Sequence, residues 1–321
     1  VGTNDVNIVW EWHLWDHLIQ EVDPDLPNYG VVSDHPELQD INYGNAGSNG
    51  GPGGANGDWK HFNAVAYNED LDQIALSSRF HDEIYIIDHS TTTEEAAGHA
   101  GGNSGMGGDF LFRWGNPHSY NRGSDLDRVL DDQHSVNWIP EGYPGEGNLI
   151  LFNNNYGSNS AVFEIVTPIN EDGTYSISPG QPYGPIEPIW IHTGPFHTQM
   201  QGGAFRLPNG NTLITDCNDA TIFEVTYDHD IVWANDFSSG AGPSFIARAQ
   251  KYSMDYLGGE DPDHIQGDVN FDGFVNLQDG LMVSDMASGF GYAPNSQADF
   301  NDNGVVSVDD AVQIIIYIMG F

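Results

Sequence analysis

Four short runs built around a tryptophan recur along this chain: Asn7–Trp12 (NIVWEW), Phe110–Trp114 (FLFRW), Pro188–His192 (PIWIH) and Asp230–Asn235 (DIVWAN). Each of the last three closes a series of strand-like segments. Internal recurrence of one supersecondary unit implies stacked sheets, because a single unit cannot bury its own apolar face. The clearest unit is Asp58–Ser90, DWKHFNAVAYNEDLDQIALSSRFHDEIYIIDHS, where Gln73–Ser77 and Glu83–Ile87 flank the polar turn Ser78–Asp82 as antiparallel neighbours. A second begins at Gln133-His134 and continues through Asn148–Asn153 (NLILFN) and Ala161–Val166 (AVFEIV). The third begins near Gln201, with hairpin turns expected at Pro208-Asn209-Gly210 and Asp228-His229-Asp230. Asn7–Trp12 reads as the last strand of a module, and His13–Asp23 (HLWDHLIQEVD) as a short helix.

Composition agrees with a loop-rich, mainly β chain: 39 Gly, 17 Pro and 12% aromatics in 321 residues. Its 47 acidic side chains face only 8 Lys and Arg, a net charge of -39. Polyanions are repelled, which excludes nucleic acid as a partner, whereas bound divalent cations would relieve the self-repulsion. Cys217 stands alone, so no intrachain disulfide forms. No apolar run reaches the roughly 18 residues of a helical membrane span. The glycine-rich stretches Gly44–Asp58 and Gly98–Gly108 read as surface loops, since neither has the strand–G-x-G-x-x-G–helix context of a phosphate cradle.

The H-x-N entry His61–Asn63, the strand ending Ser77-Ser78-Arg79, the closing Asp88-His89 and Gln133-His134-Ser135 together resemble the bacterial arylsulfotransferase-like β-propeller family. The resemblance runs from Val1 to about Tyr256 and implies a partial propeller of four-stranded blades. It also implies transfer of a sulfuryl group between phenols through a covalent sulfo-histidine, without a nucleotide. In that reading His134 stands at the nucleophile, His61 and Asn63 at the H-x-N pair and Arg79 at the arginine. A neutral imidazole suits the first role, being a nucleophile at neutral pH and a fair leaving group once sulfated. Charge grows on the departing phenolate oxygen, so Arg79 and His61 would stabilise it while Asn63 donates a hydrogen bond. Three modules and one lone strand fall short of a closed ring of typically 4–8 blades. Another chain supplying the missing blades, or self-assembly with a neighbouring subunit, is therefore expected. The alternative function is a non-catalytic structural subunit of a calcium-stabilised extracellular fibre or surface assembly.

Beyond a linker at Gly258–Gln266 the pattern changes. Asp268, Asn270, Asp272, Asn276 and Asp279 fall at positions 1, 3, 5, 9 and 12 of a calcium loop, with Gly273 at 6 and the carbonyl of Phe274 at 7. Asp299, Asn301, Asn303, Ser307 and Asp310 repeat the spacing, with Gly304 and the carbonyl of Val305. Each loop leads into an apolar helix, Leu277–Ala287 and Val308–Met319. The pair resembles a type I dockerin, which implies two Ca2+ sites and a cohesin-like partner. Weak extracellular calcium affinities point to a secreted chain. The expected domains are 1–257, the propeller region, and 267–321, the EF-hand-like calcium module, joined by 258–266. Of the remaining histidines, His13 and His17 lack the glutamate of a zinc-protease helix, and His81, His89 and His99 read as surface or hairpin residues.

Overall fold

The computed structural model describes residues 7–44, 50–51, 54–55, 57–238, 245–253, 265–270, 274–289, 297–301 and 303–319. Most of the expected linker, and Asp272 and Gly273 of the first loop, lie outside them. Short pairs come first: β1 (Leu18–Ile19) with β2 (Gln39–Asp40), and β3 (Gly50–Gly51) with β4 (Gly54–Ala55). Three antiparallel four-stranded sheets follow. The first runs β5 (Phe62–Asn68), β6 (Gln73–Ser78), β7 (Glu83–Asp88), β8 (Phe110–Trp114). The second comprises β9 (His134–Trp138), β10 (Leu149–Tyr156), β11 (Asn159–Ile165) and β12 (Trp190–Thr193), and the third β13 (Gly203–Arg206), β14 (Thr212–Asp216), β15 (Thr221–Val225) and β16 (Ile231–Asp236). In each, sequence order is spatial order and the tryptophan run is the outer strand. A mainly β architecture of four-stranded antiparallel sheets is what the module pattern anticipated.

Alternation along β7 shows how the first two sheets share a core. Ile84 and Ile86 join Phe112, Trp114, Leu149, Leu151 and Phe163 in one buried cluster spanning both sheets. Tyr85 and Ile87 point to the opposite face and pack with Leu76 and Phe110 under Trp10, Trp12 and Leu14. This second face corrects the reading of Asn7–Trp12. Described residues 7–12 form no strand. Trp10 and Trp12 lie over a sheet face, their indoles donating to Thr91 Oγ1 (3.2 Å) and the Gly108 carbonyl (2.7 Å). Burying a large apolar side chain stabilises by roughly 1.5–3 kcal/mol, and here no edge-strand ladder accompanies it. The expected helix at His13–Asp23 is likewise only a 3-10 turn, Leu14–Asp16, leading into β1. Its carbonyls are taken by the parallel strand β2 instead.

The chain divides into two compact units, 1–138 with 148–203 and 216–219, and 139–147 with 204–215 and 220–321. In the second unit the expected hairpin turns are present: Leu207 N–H donates to Asn211 O (2.8 Å) and Thr226 N–H to Asp230 O (2.9 Å). Helices α2 (Leu277–Ala287) and α3 (Val308–Ile318) bury Met282, Val283, Met286, Ala311 and Ile314 with Val269 and Ala298. A methyl on Gly280 would stand 3.2 Å from Ile315 Cγ1, so glycine permits the close helix crossing.

Candidate functional site

His134 opens β9 at the end where the first two sheets meet. It is 6% exposed. Its Nδ1 faces two acceptors, Asp132 O at 2.9 Å and Asn154 Oδ1 at 2.8 Å. Asn154 is oriented by its own amide, which donates to Thr198 O and Gln201 O, both at 2.9 Å. That fixes the proton on His134 Nδ1 and leaves the lone pair on Nε2, toward which Gln201 N–H points at 3.2 Å. Burial holds the imidazole below its ordinary pKa; the Asn154 bond opposes this, and Arg79 and His61 add to the lowering. The ring is therefore neutral at pH 7.

The other predicted residues gather around it. Asn63, on β5, donates to Gln133 O at 2.7 Å. Gln133 is itself held by donation to Ser77 Oγ, Ser78 O and Glu83 O at 3.2, 3.1 and 2.8 Å. Arg79, in the turn after β6, pairs with Asp132 at 2.9 Å. His61 donates Nδ1–H to Asp58 at 2.6 Å, which leaves Nε2 as its proton-exchanging nitrogen. Asn63 Oδ1, Arg79 Nε, Gln133 Oε1 and Ser135 Oγ are buried and make no hydrogen bond among the described residues. Such unmet capacity is what a polar ligand or water satisfies. His61, Asp132, Ser135 and Gln201 have φ of 49°, 58°, 62° and 59°, left-handed values that aim these residues across strand ends. Two open clefts among the described residues, about 410 and 540 Å3, are lined by neither His134 nor Arg79. Sequence reasoning missed Asn154 and Gln201; the Asn153-Asn154-Asn155 run inside β10, unusual for a buried strand, was the available signal.

Residues of the two expected calcium loops are drawn together by backbone hydrogen bonds to their aspartates. Asp279 is fully buried, and its carboxylate accepts from Val269 N–H (2.9 Å), Asn270 N–H (3.3 Å) and Asn276 N–H (2.9 Å). Asp310 repeats this with Asn301 N–H (3.2 Å) and Ser307 N–H (2.9 Å). Asp299 accepts from Asn303 and Gly304 N–H at 3.0 and 2.6 Å. Positions 9 and 12 thus double as capping boxes, Asn276 with Asp279 and Ser307 with Asp310. Burial raises the pKa of Asp279, against the opposing backbone bonds. From Ile265 to Phe321 there are eight aspartates and no lysine, arginine or histidine. Hard carboxylate and carbonyl oxygens without a basic partner fit Ca2+. Asp268, Asn270, Phe274, Asn276, Asn303, Val305 and Ser307 lie where this fit needs them in sequence; Asp272 is outside the described residues.

Of the histidines expected at surface or hairpin positions, His81 departs from that expectation and His99 is exposed. His81 is fully buried, its ring against Tyr43 and Trp59. His17 is also fully buried and reaches Asp109, as does His99. His13, in contrast, stays near Glu11 and Asp16 at the surface. The Gly98–Gly108 loop folds back on the helical turn α1 (Thr93–Ala96) instead of trailing over the surface, with Gly108 N–H donating to Gly98 O at 3.0 Å.

Fold and site together define a mainly β protein whose antiparallel sheets present a histidine-centred polar cluster at their strand ends. The family model for arylsulfotransferase (ASST) matches residues 1–176, more than half of the chain, and the chain belongs to that family. No curated protein matches it significantly. Among solved structures it is similar to a protein of unknown function from Bacteroides caccae, at 11% identity and TM-score 0.31, over 55% of this chain and 45% of that one. It is also similar to virginiamycin B lyase from Staphylococcus aureus, at 12% identity and TM-score 0.26, over 57% and 58%. The matches span about half the length of those proteins. No helix among the described residues is long and apolar enough to cross a membrane.

Proposed function

We propose that this chain is a secreted, calcium-binding member of the arylsulfotransferase family that moves a sulfuryl group between phenols through His134. The observation that carries it is the neutral Nδ1–H tautomer, held by Asp132 O and by the pre-oriented Asn154, with the Nε2 lone pair available once Gln201 N–H withdraws. Nε2 attacks sulfur, the bond from sulfur to the aryl oxygen breaks, and the phenolate leaves. Positive charge on the sulfated ring is stabilised through Nδ1–H by the same two acceptors. A second phenol then attacks sulfur, the N–S bond breaks and the imidazole is restored. His61 Nε2, with Asp58 behind the ring, gives a proton to the departing phenolate in the first step and takes the acceptor's proton in the second, which restores its starting state. Arg79 and Asn63 offer donors to the sulfuryl oxygens. In the C-terminal module Ca2+ is held by oxygens of the two loops and neutralises their aspartates.

The test is phenol-to-phenol sulfate transfer without nucleotide, in calcium. His134→Ala is expected to lower kcat by at least about 10³, the scale on which loss of a nucleophile acts, with the fold and calcium binding unchanged. Because the pKa of His134 is depressed, the wild-type rate is expected to hold as pH falls through 6.5 and to drop only below it. Transfer by His134→Ala at the wild-type rate would sink the mechanism. A second reading, the structural subunit, is favoured by β16: this outer strand is exposed at every residue, with Ile231, Val232 and Trp233 61, 55 and 47% exposed. An apolar edge of this kind is a template for strand addition by another copy. Calcium-dependent polymers seen by electron microscopy, in a chain without transferase activity, would favour it.

A further inference from the structure

His17 is far in sequence from His99 and Asp109, and the three meet in the first unit. Nδ1 of His17 lies 2.8 Å from Asp109 Oδ1, and Nδ1 of His99 lies 2.8 Å from the same oxygen. The three donor atoms are within 4.8 Å of one another. The other nitrogen of His17, Nε2, is 2.9 Å from the Ala96 carbonyl. A carbonyl oxygen only accepts, so the proton sits on Nε2, and a neutral His17 turns its Nδ1 lone pair toward a carboxylate. Two lone pairs at that distance need a positive centre between them. The geometry points to a divalent transition-metal site of the zinc class, held by Nδ1 of His17, Nδ1 of His99 and the Asp109 carboxylate.

The surroundings are those of a built site. A metal-binding histidine characteristically donates its second ring N–H to a carbonyl or carboxylate, as His17 does to Ala96. Trp12 stacks on the His17 ring at 5.6 Å and 4°, fixing its plane. Gly108 makes room: a Cβ there would stand 2.7 Å from His17 Nε2 and overlap the Ala96 carbonyl. Two imidazoles favour zinc-class ions over calcium, which takes oxygen donors. His99 is 61% exposed and lines a cleft of about 410 Å3 with Trp15, Tyr29 and His35, so a fourth position opens to solvent. Three protein ligands and one open position leave room for a water or a small anionic ligand.

The experiment is a Co2+ titration of the full chain with Ca2+ in excess, so that all-oxygen sites are filled. One equivalent of Co2+ is expected to give the ligand-field absorption of a nitrogen-containing tetrahedral site, to quench tryptophan fluorescence through Trp12, and to be displaced by Zn2+. His99→Ala, at an exposed position that leaves the fold intact by circular dichroism, is expected to weaken binding by more than about 100-fold, the upper range for losing an outer-shell partner. Asp109→Asn should do the same. Absence of the band, or a band unchanged in His99→Ala, overturns the site. So does ring-nitrogen NMR showing His17 protonated on both nitrogens in excess Zn2+, which would leave a buried imidazolium–carboxylate pair.

Discussion

Two carboxylates, both fully buried, are held in opposite ways in the two halves of this molecule. Glu83, on β7, is clasped by Arg113 of β8, with Nε and Nη2 at 2.9 and 2.7 Å and both side chains without solvent exposure. Asp279, at the start of α2, accepts from backbone N–H groups, in a stretch without one basic side chain. Glu83 has its counter-charge in the sequence, and on the calcium reading proposed above the helical pair would take its own from solution. On that reading the first is stabilised from within the chain and the second through bound ions.

The sharpest way to break this contrast is Arg113→Met. It leaves the Glu83 charge buried without its cation, with only the Tyr85 hydroxyl donating to it at 2.8 Å, and the expected cost is about 3–5 kcal/mol. Urea denaturation should show a large loss that Arg113→Met with Glu83→Gln partly restores. Removing calcium comes next. If Ca2+ balances the loops, raising it to about 100 times Kd adds about 3 kcal/mol per site to the helical pair. Chelator should melt α2 and α3 by circular dichroism and hydrogen exchange while amides of β7 keep their protection; equal loss in both regions would erase the distinction.

The smallest effect concerns Asp82, which has a cation beside it yet is not fully compensated. Burial raises its pKa to about 6, despite hydrogen bonds from Asp132 N–H and Arg128. A carboxyl whose folded pKa exceeds its unfolded value favours the protonated fold. Its contribution is complete below about pH 4 and is lost as pH rises through 6. Between pH 5 and 7 the wild type should lose about 1 kcal/mol through this group, and Asp82→Asn should lack that slope in urea midpoints.

The contrast also explains what the sequence makes legible. Strands of the three sheets alternate apolar residues between turn-forming ones, and the proposed calcium loops are contiguous, so both are local patterns. The site is partly so: His61–Asn63 and Ser77–Arg79 are short motifs, but the tautomer of His134 depends on Asn154, placed by β10, and Gln201, in the segment before β13. Asn7–Trp12 has the letters of an outer strand and packs instead on a sheet face, because tertiary burial of Trp10 and Trp12 outweighs β propensity. His17 and Asp109, 92 residues apart, carry no local signal at all.

Arg113 does more than neutralise Glu83. Its Nη1 donates to the Leu38 carbonyl at 2.9 Å, and Phe110 N–H on the same strand donates to Glu37 O at 2.9 Å. The hairpins β5–β6–β7 form from neighbours in sequence, whereas these bonds close a loop of more than 70 residues, a step whose entropy is repaid late. The segment around Glu37 and Leu38 should thus arrive after the folding barrier, and substitutions that loosen it should hasten unfolding while leaving the refolding rate nearly untouched.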